Sequence, residues 1–201
     1  MAFLSNHTRG RIGEASIAGL LIFACFILQL AVLSKMPFGN VLCNLHLAFT
    51  IVWGVTFGSP LPRPTADELR MSNLGSIFVR QLLSGSPSGA IVGAIFAALF
   101  SCILPVFPVC YPVVGWACGY FSLKNFNQAA FLIIPLVILF TIWSEGIMAL
   151  QLYAMGRPNV LAHLVTLILP AALLNALIAP VLFIPMRGWL EFRRWRLMDA
   201  S

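Results

Sequence analysis

The chain has 201 residues, of which 60% are hydrophobic, and its charge is carried by only 12 basic and six acidic residues. This composition excludes an ordinary soluble domain, which would expose large apolar patches and aggregate. It also leaves no room for a separate soluble domain, because the longest hydrophilic stretch, Ser59–Asn73, has the length of a loop. The sequence therefore predicts one integral membrane domain.

Long uncharged stretches define the predicted elements. A helix of about 20 mostly apolar residues crosses a hydrocarbon core about 30 Å thick and satisfies its own backbone polar groups there. The apolar runs are continuous, which favours helices, and turn residues divide them into six predicted spans. In chain order the spans are about Ala15–Leu33, Val41–Gly58, Ser88–Leu104, Val109–Phe121, Ala129–Tyr153 and His163–Phe183. We expect an all-α, polytopic bundle of six transmembrane helices.

Two further segments are predicted to lie at the membrane surface. Leu74–Leu83 has the pattern of a short amphipathic helix at the interface. The C-terminal tail, Met186–Met198, is basic and aromatic, and Trp favours the headgroup level while Arg favours anionic lipid. The tail residues that carry this prediction are Arg187, Trp189, Arg193, Arg194, Trp195 and Arg196. Their place beside the bilayer makes lipid the expected partner and nucleic acid an unexpected one.

The distribution of Lys and Arg tests the count of six spans. With the N-terminus inside, the predicted inner segments carry ten basic residues and the outer loops carry two, Lys35 and Arg157. This is a strong positive-inside bias. If the short fourth segment did not cross, Lys124 and the tail would move outside, Arg157 would move inside, and each side would carry six. We therefore predict a bacterial inner-membrane protein with both termini in the cytoplasm.

Glu145 is the one acidic residue inside a predicted span. An ionisable group in a membrane is costly, so it is expected to face a protein interior or a partner. The six-span count places Glu145 about eight residues, or roughly 12 Å, from the outer end of its helix. Three roles stay open: a neutral, hydrogen-bonded residue between helices, a contact with another subunit, or a proton or substrate site. Its candidate polar neighbours are Ser144 and Gln151 on its own helix, and Asn44, His46, Ser101 and Asn175 in other spans.

Small residues recur every four positions along the third span, and the pattern continues on the fourth. On a helix this spacing makes one smooth ridge, where a neighbouring backbone can approach closely. The ridge consists of Gly85, Gly89, Gly93, Ala97, Ser101, Gly115 and Gly119. It is either a packing surface within the chain or a docking face for a partner protein, and the pattern alone does not choose between them.

The sequence shows no motif that points to catalysis or to a cofactor. It has no P-loop, dinucleotide fingerprint or nucleophile–base motif, and acid–base chemistry needs at least two converging groups. The five cysteines form no C-x-x-C pair. His46 has no second His at i+4, so we expect a hydrogen-bonded helix residue rather than a metal ligand. We expect neither an enzyme nor a bound metal or cofactor.

Three parts of the chain resemble segments of a known family of membrane proteins. These parts are Gly89-x-x-x-Gly93 continuing to Ala97–Phe100, Ser144–Gln151, and Leu173–Pro185 followed by Trp189–Glu191. The arrangement resembles the MreD family, which are small membrane subunits of the bacterial rod-shape, or elongation, machinery, and cyanobacterial-type members are the most similar. The resemblance extends loosely over about Asn40–Glu191. Many members have an Asp where this chain has Ser101, so no role built on that carboxylate carries over.

The resemblance implies a non-enzymatic membrane scaffold that binds MreC and couples MreB filaments to peptidoglycan synthesis. Other expected partners in such a rod complex are a penicillin-binding protein and RodA. The family also implies a fold like that of the substrate-binding subunits of energy-coupling-factor vitamin transporters. Uptake of a vitamin or another small molecule is therefore the alternative function, with Glu145 and Asn175 as candidates for a polar pocket. Those subunits often carry Ala-x-x-x-Ala on the first span, and the spacing of the alanines here disfavours uptake.

Overall fold

The structure, a computed structural model, describes residues 3–35, 41–58, 85–102, 108–121, 129–156 and 164–198. Within these ranges, the side chains of residues 3–15, 34, 129–132, 164–166 and 193–198 are not described. The loop Ser59–Asn73 and the predicted interfacial helix Leu74–Leu83 lie outside the described residues, as does the predicted end of the third span at Leu104.

The described residues form six α-helices and contain no β-strand, which confirms the all-α class. In chain order the helices are α1 (Phe3–Ala31), α2 (Leu45–Phe57), α3 (Pro87–Ser101), α4 (Cys110–Ala117), α5 (Ala129–Ala154) and α6 (Leu164–Met198). Single 3₁₀ segments, Leu33–Lys35 and Cys118–Phe121, follow α1 and α4. Each predicted span coincides with one of these helices to within a few residues, except at the start of α1 and the end of α6.

Both of those exceptions are helices that run past the predicted span. α1 begins at Phe3, well before Ala15. α6 continues from Leu164 to Met198 without a break at Phe183, although Pro170, Pro180 and Pro185 lie inside it. The basic tail is therefore the last part of α6 rather than a separate helix. Proline costs a helix one backbone hydrogen bond but does not always end it, and the Met, Arg, Leu and Glu residues that follow are good helix formers.

Side chains just before α2 and α3 fix where these helices start. The Asn44 side chain accepts a hydrogen bond from the backbone N–H of Leu47, and Ser86 accepts one from Gly89 in the same way. Pro87 follows Ser86 at the first helical position, where its missing N–H is not needed. Such N-terminal caps stabilise a helix by about 1 kcal/mol.

Helix α2 lies at the centre of the fold. Every residue from Leu45 to Thr56 is buried, and a helix that is apolar all round is one that other helices surround. The side chains of Leu47, Ile51 and Val55 are among the most buried in the core. Because α2 touches each of the other five helices, groups at its N-terminus lie where several helices meet.

Helices α3 and α4 form a close antiparallel pair along the small-residue ridge. A Cβ placed on Gly93 would collide with the backbone of Tyr111, and one placed on Gly89 would collide with that of Gly115. A Cβ on Gly119 would in the same way meet the backbone of Ser86. The pairs run in opposite directions along the two helices, and only residues without a Cβ allow so short a separation.

Among the described residues, two helices are long and apolar enough to span a membrane by length and composition. They are Ile133–Ala154 within α5 and Leu167–Phe192 within α6. The core helices of soluble proteins can have the same length and composition as these two helices, but they are mostly buried. Leu177, Val181 and Ile184 instead leave 73%, 69% and 71% of their surface exposed on one face of α6. A contiguous exposed apolar face of this kind indicates contact with lipid or with another protein.

Candidate functional site

Polar side chains from four helices and from the segment that precedes α2 converge at the N-terminus of α2. The cluster, which we call the Asn44 cluster, consists of Gln29 on α1, Cys43 and Asn44 before α2, Tyr111 on α4, Thr141 and Glu145 on α5, and Asn175 on α6. The first residues of any helix have backbone N–H groups without intrahelical partners. In an apolar surrounding those groups need other acceptors, which explains why polar residues gather here.

Asn44 is the centre of the cluster and uses every part of its side-chain amide. Its Oδ1 accepts a hydrogen bond from the backbone N–H of Leu47 at 3.2 Å. Its Nδ2 donates to Tyr111 Oη at 2.8 Å and to Glu145 Oε1 at 3.2 Å. One side chain therefore caps α2 and connects it to α4 and α5.

Asn175 connects α6 to the same point through the backbone of Asn44. Its Oδ1 accepts hydrogen bonds from the Asn44 N–H at 2.8 Å and from Cys43 Sγ at 3.2 Å. Its Nδ2 donates to Thr141 Oγ1 at 3.3 Å. Asn175 and Thr141 have no exposed surface. Water cannot reach these side chains, so they depend on hydrogen bonds within the protein.

Gln29 fastens α1 to the segment that precedes α2. Its Nε2 donates to the carbonyl oxygen of Cys43, and its Oε1 accepts from the backbone N–H of Leu45, both at 2.8 Å. This pair of bonds satisfies two backbone groups that the start of α2 leaves without helical partners. The backbone around Asn44 is therefore held from α1 and from α6 at the same time.

The Glu145 carboxyl group is half-buried and accepts a hydrogen bond from a neutral amide. Its hydrogen-bond partner in the described residues, Asn44, is itself bonded to Tyr111. Amides and a phenol around one carboxyl group can join helices or hold a polar ligand.

Of the sequence-predicted polar residues, Glu145, Asn44 and Asn175 come together, and neither His46 nor the exposed Ser101 joins them. The imidazole of His46 lies instead among Phe26, Phe96 and Phe100, with ring centroids 5.5, 4.8 and 5.5 Å away. It is fully buried, and neither ring nitrogen has a hydrogen-bond partner in the described part of the chain. The expectation that His46 is hydrogen-bonded is wrong. An unpaired buried polar group of this kind costs about 1–3 kcal/mol.

Sequence reasoning missed Gln29, Tyr111 and Thr141. Gln29 carried a usable signal, since it is the one side-chain amide in the first predicted span. Tyr111 carried a weaker one, because it lies near the start of the short fourth segment, three positions after Pro108. Thr141 carried none, since a threonine in a membrane helix can bond to its own backbone, as Thr50 does to the His46 carbonyl.

The small-residue ridge is occupied by the chain's own helices. Six of its members are buried between α3, α4 and neighbouring segments; they are Gly85, Gly89, Gly93, Ala97, Gly115 and Gly119. The seventh, Ser101, is exposed at the end of α3, where its hydroxyl donates to the carbonyl oxygen of Ala98 at 2.7 Å. The buried part of the ridge is therefore a packing surface within the chain.

The described part of the tail shows how α6 packs near its end. The Trp189 ring makes edge contacts with Trp53 and Phe57, with centroids 6.2 and 5.6 Å apart. Arg187 Nε donates to Glu191 Oε1 at 2.8 Å along the exposed side of the helix. The side chains of Arg193, Arg194, Trp195 and Arg196 lie outside the described residues.

Comparison with known proteins gives no relative for this chain. No family model matches it, and neither the curated proteins nor the solved structures contain a match. The described residues contain no group of three His, Cys, Asp or Glu side chains that could hold a metal ion.

Proposed function

We propose that this chain is a multi-pass membrane scaffold of the bacterial cell-elongation machinery, of the kind that its MreD-like segments indicate. It binds MreC and couples MreB filaments to peptidoglycan synthesis by RodA and a penicillin-binding protein. One observation carries the proposal. The two segments that resemble MreD most closely lie on α5 and α6, and each supplies one residue, Glu145 or Asn175, that bonds to Asn44.

The use made of these polar groups favours a scaffold over a substrate site. The amides of Asn44, Asn175 and Gln29 are all engaged with the protein itself. A binding site would keep several polar groups aimed into a cavity for its ligand. Groups that are already paired make the junction of α2 with its neighbours rigid, which suits a protein whose role is to hold others in place.

Contacts between helix ends support a six-span topology in the inner membrane with both termini in the cytoplasm. Gln29, Asn44 and Tyr111, near the predicted outer ends of the first, second and fourth spans, belong to one cluster. Phe57 and Trp189, near the predicted inner ends of the second and sixth spans, pack together. Both sets of contacts agree with spans that alternate in direction, and the positive-inside bias assigns the cytoplasmic side.

Small-molecule uptake is the second candidate, and one observation favours it. Glu145 and Asn44 are only partly buried, so a polar ligand approaching from the predicted outer side could reach the carboxyl group. In that case the chain would be a substrate-binding subunit of a vitamin transporter, and the charge of Glu145 would recognise the ligand.

Depletion of the chain in its own bacterium distinguishes the two functions. We expect depleted cells to lose their rod shape, and a Glu145→Gln variant to restore it, because glutamine keeps the acceptor for Asn44 Nδ2 without the charge. Cell width measured by microscopy is the readout, with re-expressed wild-type chain as the control. Cells that keep their shape but need a supplied vitamin to grow would show uptake instead.

A further inference from the structure

An apolar groove of about 510 Å³ opens between α1 and α6, on the opposite half of the fold from the Asn44 cluster. Phe49 of α2 and Met186 of α6 are buried in its floor, and Ile17 of α1 and Phe192 of α6 are exposed at its rims. Cavities of about 300–1,000 Å³ are of the size that holds small ligands. The groove is thus open to the surrounding medium but extends into the core.

The groove has the length and position of an acyl chain in one leaflet. Its lining on α6 runs from Leu182 to Phe192, which is about 15 Å along a helix. Half of a hydrocarbon core about 30 Å thick has the same length. The end at Trp189 is the predicted inner end of α6, where Trp side chains lie at the headgroup level.

Positive charge is concentrated at that same end. Arg193 and Arg196 lie four and seven positions after the groove residue Trp189, so the helical repeat places them on the face of α6 that lines the groove. Arg187 lies two positions before Trp189 and therefore on the opposite face, where its side chain is 48% exposed and pairs with Glu191 at 2.8 Å. The groove face of α6 thus ends in a basic stretch.

We infer that the groove binds one anionic phospholipid of the inner leaflet, with an acyl chain between α1 and α6 and its phosphate at the end of the α6 face that carries Arg193 and Arg196. The apolar lining recognises the chain, and the basic end of α6 selects a negative headgroup over a zwitterionic one. The inference depends on the membrane location within the proposed function but not on the assignment to the elongation machinery. A bound anionic lipid at this position joins α1 to α6 on the cytoplasmic side.

Native mass spectrometry of the detergent-solubilised full chain tests the inference, with phosphatidylglycerol and phosphatidylcholine titrated separately as probes. We expect one tightly retained phosphatidylglycerol, and weaker binding of phosphatidylcholine. Leu21→Trp fills the groove and should weaken phosphatidylglycerol binding about tenfold. Leu20→Trp is the matched control, because Leu20 is the adjacent residue, is 70% exposed and does not line the groove.

A second substitution tests recognition of the lipid headgroup. Arg193→Gln should lower the preference for phosphatidylglycerol about fivefold and leave phosphatidylcholine binding unchanged, because one arginine near an anionic surface contributes about 1 kcal/mol. Equal binding of the two lipids by the wild-type chain, or an unchanged affinity in Leu21→Trp, overturns the inference.

A partner helix is the other occupant that the test can reveal. If Leu21→Trp binds phosphatidylglycerol normally but no longer co-purifies with a membrane partner of the wild-type chain, the groove holds that partner and the lipid inference is wrong. If the lipid results come out as expected while cells depleted of the chain keep their shape, the inference stands and the elongation role fails.

Discussion

Replacing Asn175 with leucine should loosen the start of α2 from α6. The substitution keeps an apolar side chain of similar size but removes three hydrogen bonds, to the Asn44 N–H, to Cys43 Sγ and to Thr141 Oγ1. The thiol and the hydroxyl can rotate toward other acceptors, and side-chain bonds between membrane helices contribute only about 0.6 kcal/mol on average. The Asn44 backbone N–H cannot rotate toward another acceptor, so the loss of its hydrogen bond makes the largest contribution to the destabilisation.

The expected cost follows from that N–H group. A buried donor left without an acceptor costs about 1–3 kcal/mol, and the new apolar contacts of leucine offset part of it. A net loss of about 2 kcal/mol corresponds to a fall in the melting midpoint of about 4–8 °C for a chain of this size. Thr141→Val, which removes only the longest of the three bonds, should lower the midpoint by a smaller amount.

The cysteines of the chain provide the assay. Cys25, Cys43, Cys110 and Cys118 are buried and Cys102 is exposed, so a thiol-reactive fluorescent dye reports unfolding as the signal rises above that of Cys102. Leu177→Ala is the control on the same helix, since Leu177 is 73% exposed and surface changes usually stay within about 0.5 kcal/mol. A melting midpoint for Asn175→Leu equal to that of Leu177→Ala would refute the role given to Asn175.

Three other substitutions should change stability in different directions, and a pair of fusions tests the topology. His46→Leu should raise the melting midpoint, because it removes an unpaired buried imidazole whose cost is about 1–3 kcal/mol; a lower midpoint would show that His46 has a partner. Gly115→Ala should destabilise the fold by about 1–3 kcal/mol through overpacking against Gly89. Gly146→Ala, with nothing within 4 Å of its added Cβ, should leave stability unchanged or higher. Alkaline phosphatase fused after Gly156 should be active, because that loop is predicted to lie on the outer side of the membrane, and a fusion after Ser201 should be inactive. The reverse pattern would contradict the topology.

The sequence predicted the helices because membrane helices need little beyond long apolar runs. It could not predict that α6 continues to Met198, since three prolines and a change to basic residues resemble a helix end. The residues after Pro185 are mostly good helix formers, and they keep the helix intact to Met198.

The site was predictable only in part. Asn44, Glu145 and Asn175 stood out because each is a polar residue within an apolar segment, and such residues seek one another in a membrane. Their pairing was not readable, because Asn44 and Asn175 are 131 positions apart in the chain and their contact depends on the packing of whole helices. The same dependence explains His46, whose three aromatic neighbours lie on α1 and α3.

Purification of the chain from its native membrane, with identification of the proteins and small molecules that accompany it, tests the central claim most directly. The scaffold proposal predicts MreC and a penicillin-binding protein in the wild-type sample. It predicts the same partners for Glu145→Gln, because the neutral side chain keeps its bond to Asn44. A pair of ATPase subunits together with a bound vitamin, lost on Glu145→Gln, would contradict the scaffold and establish uptake.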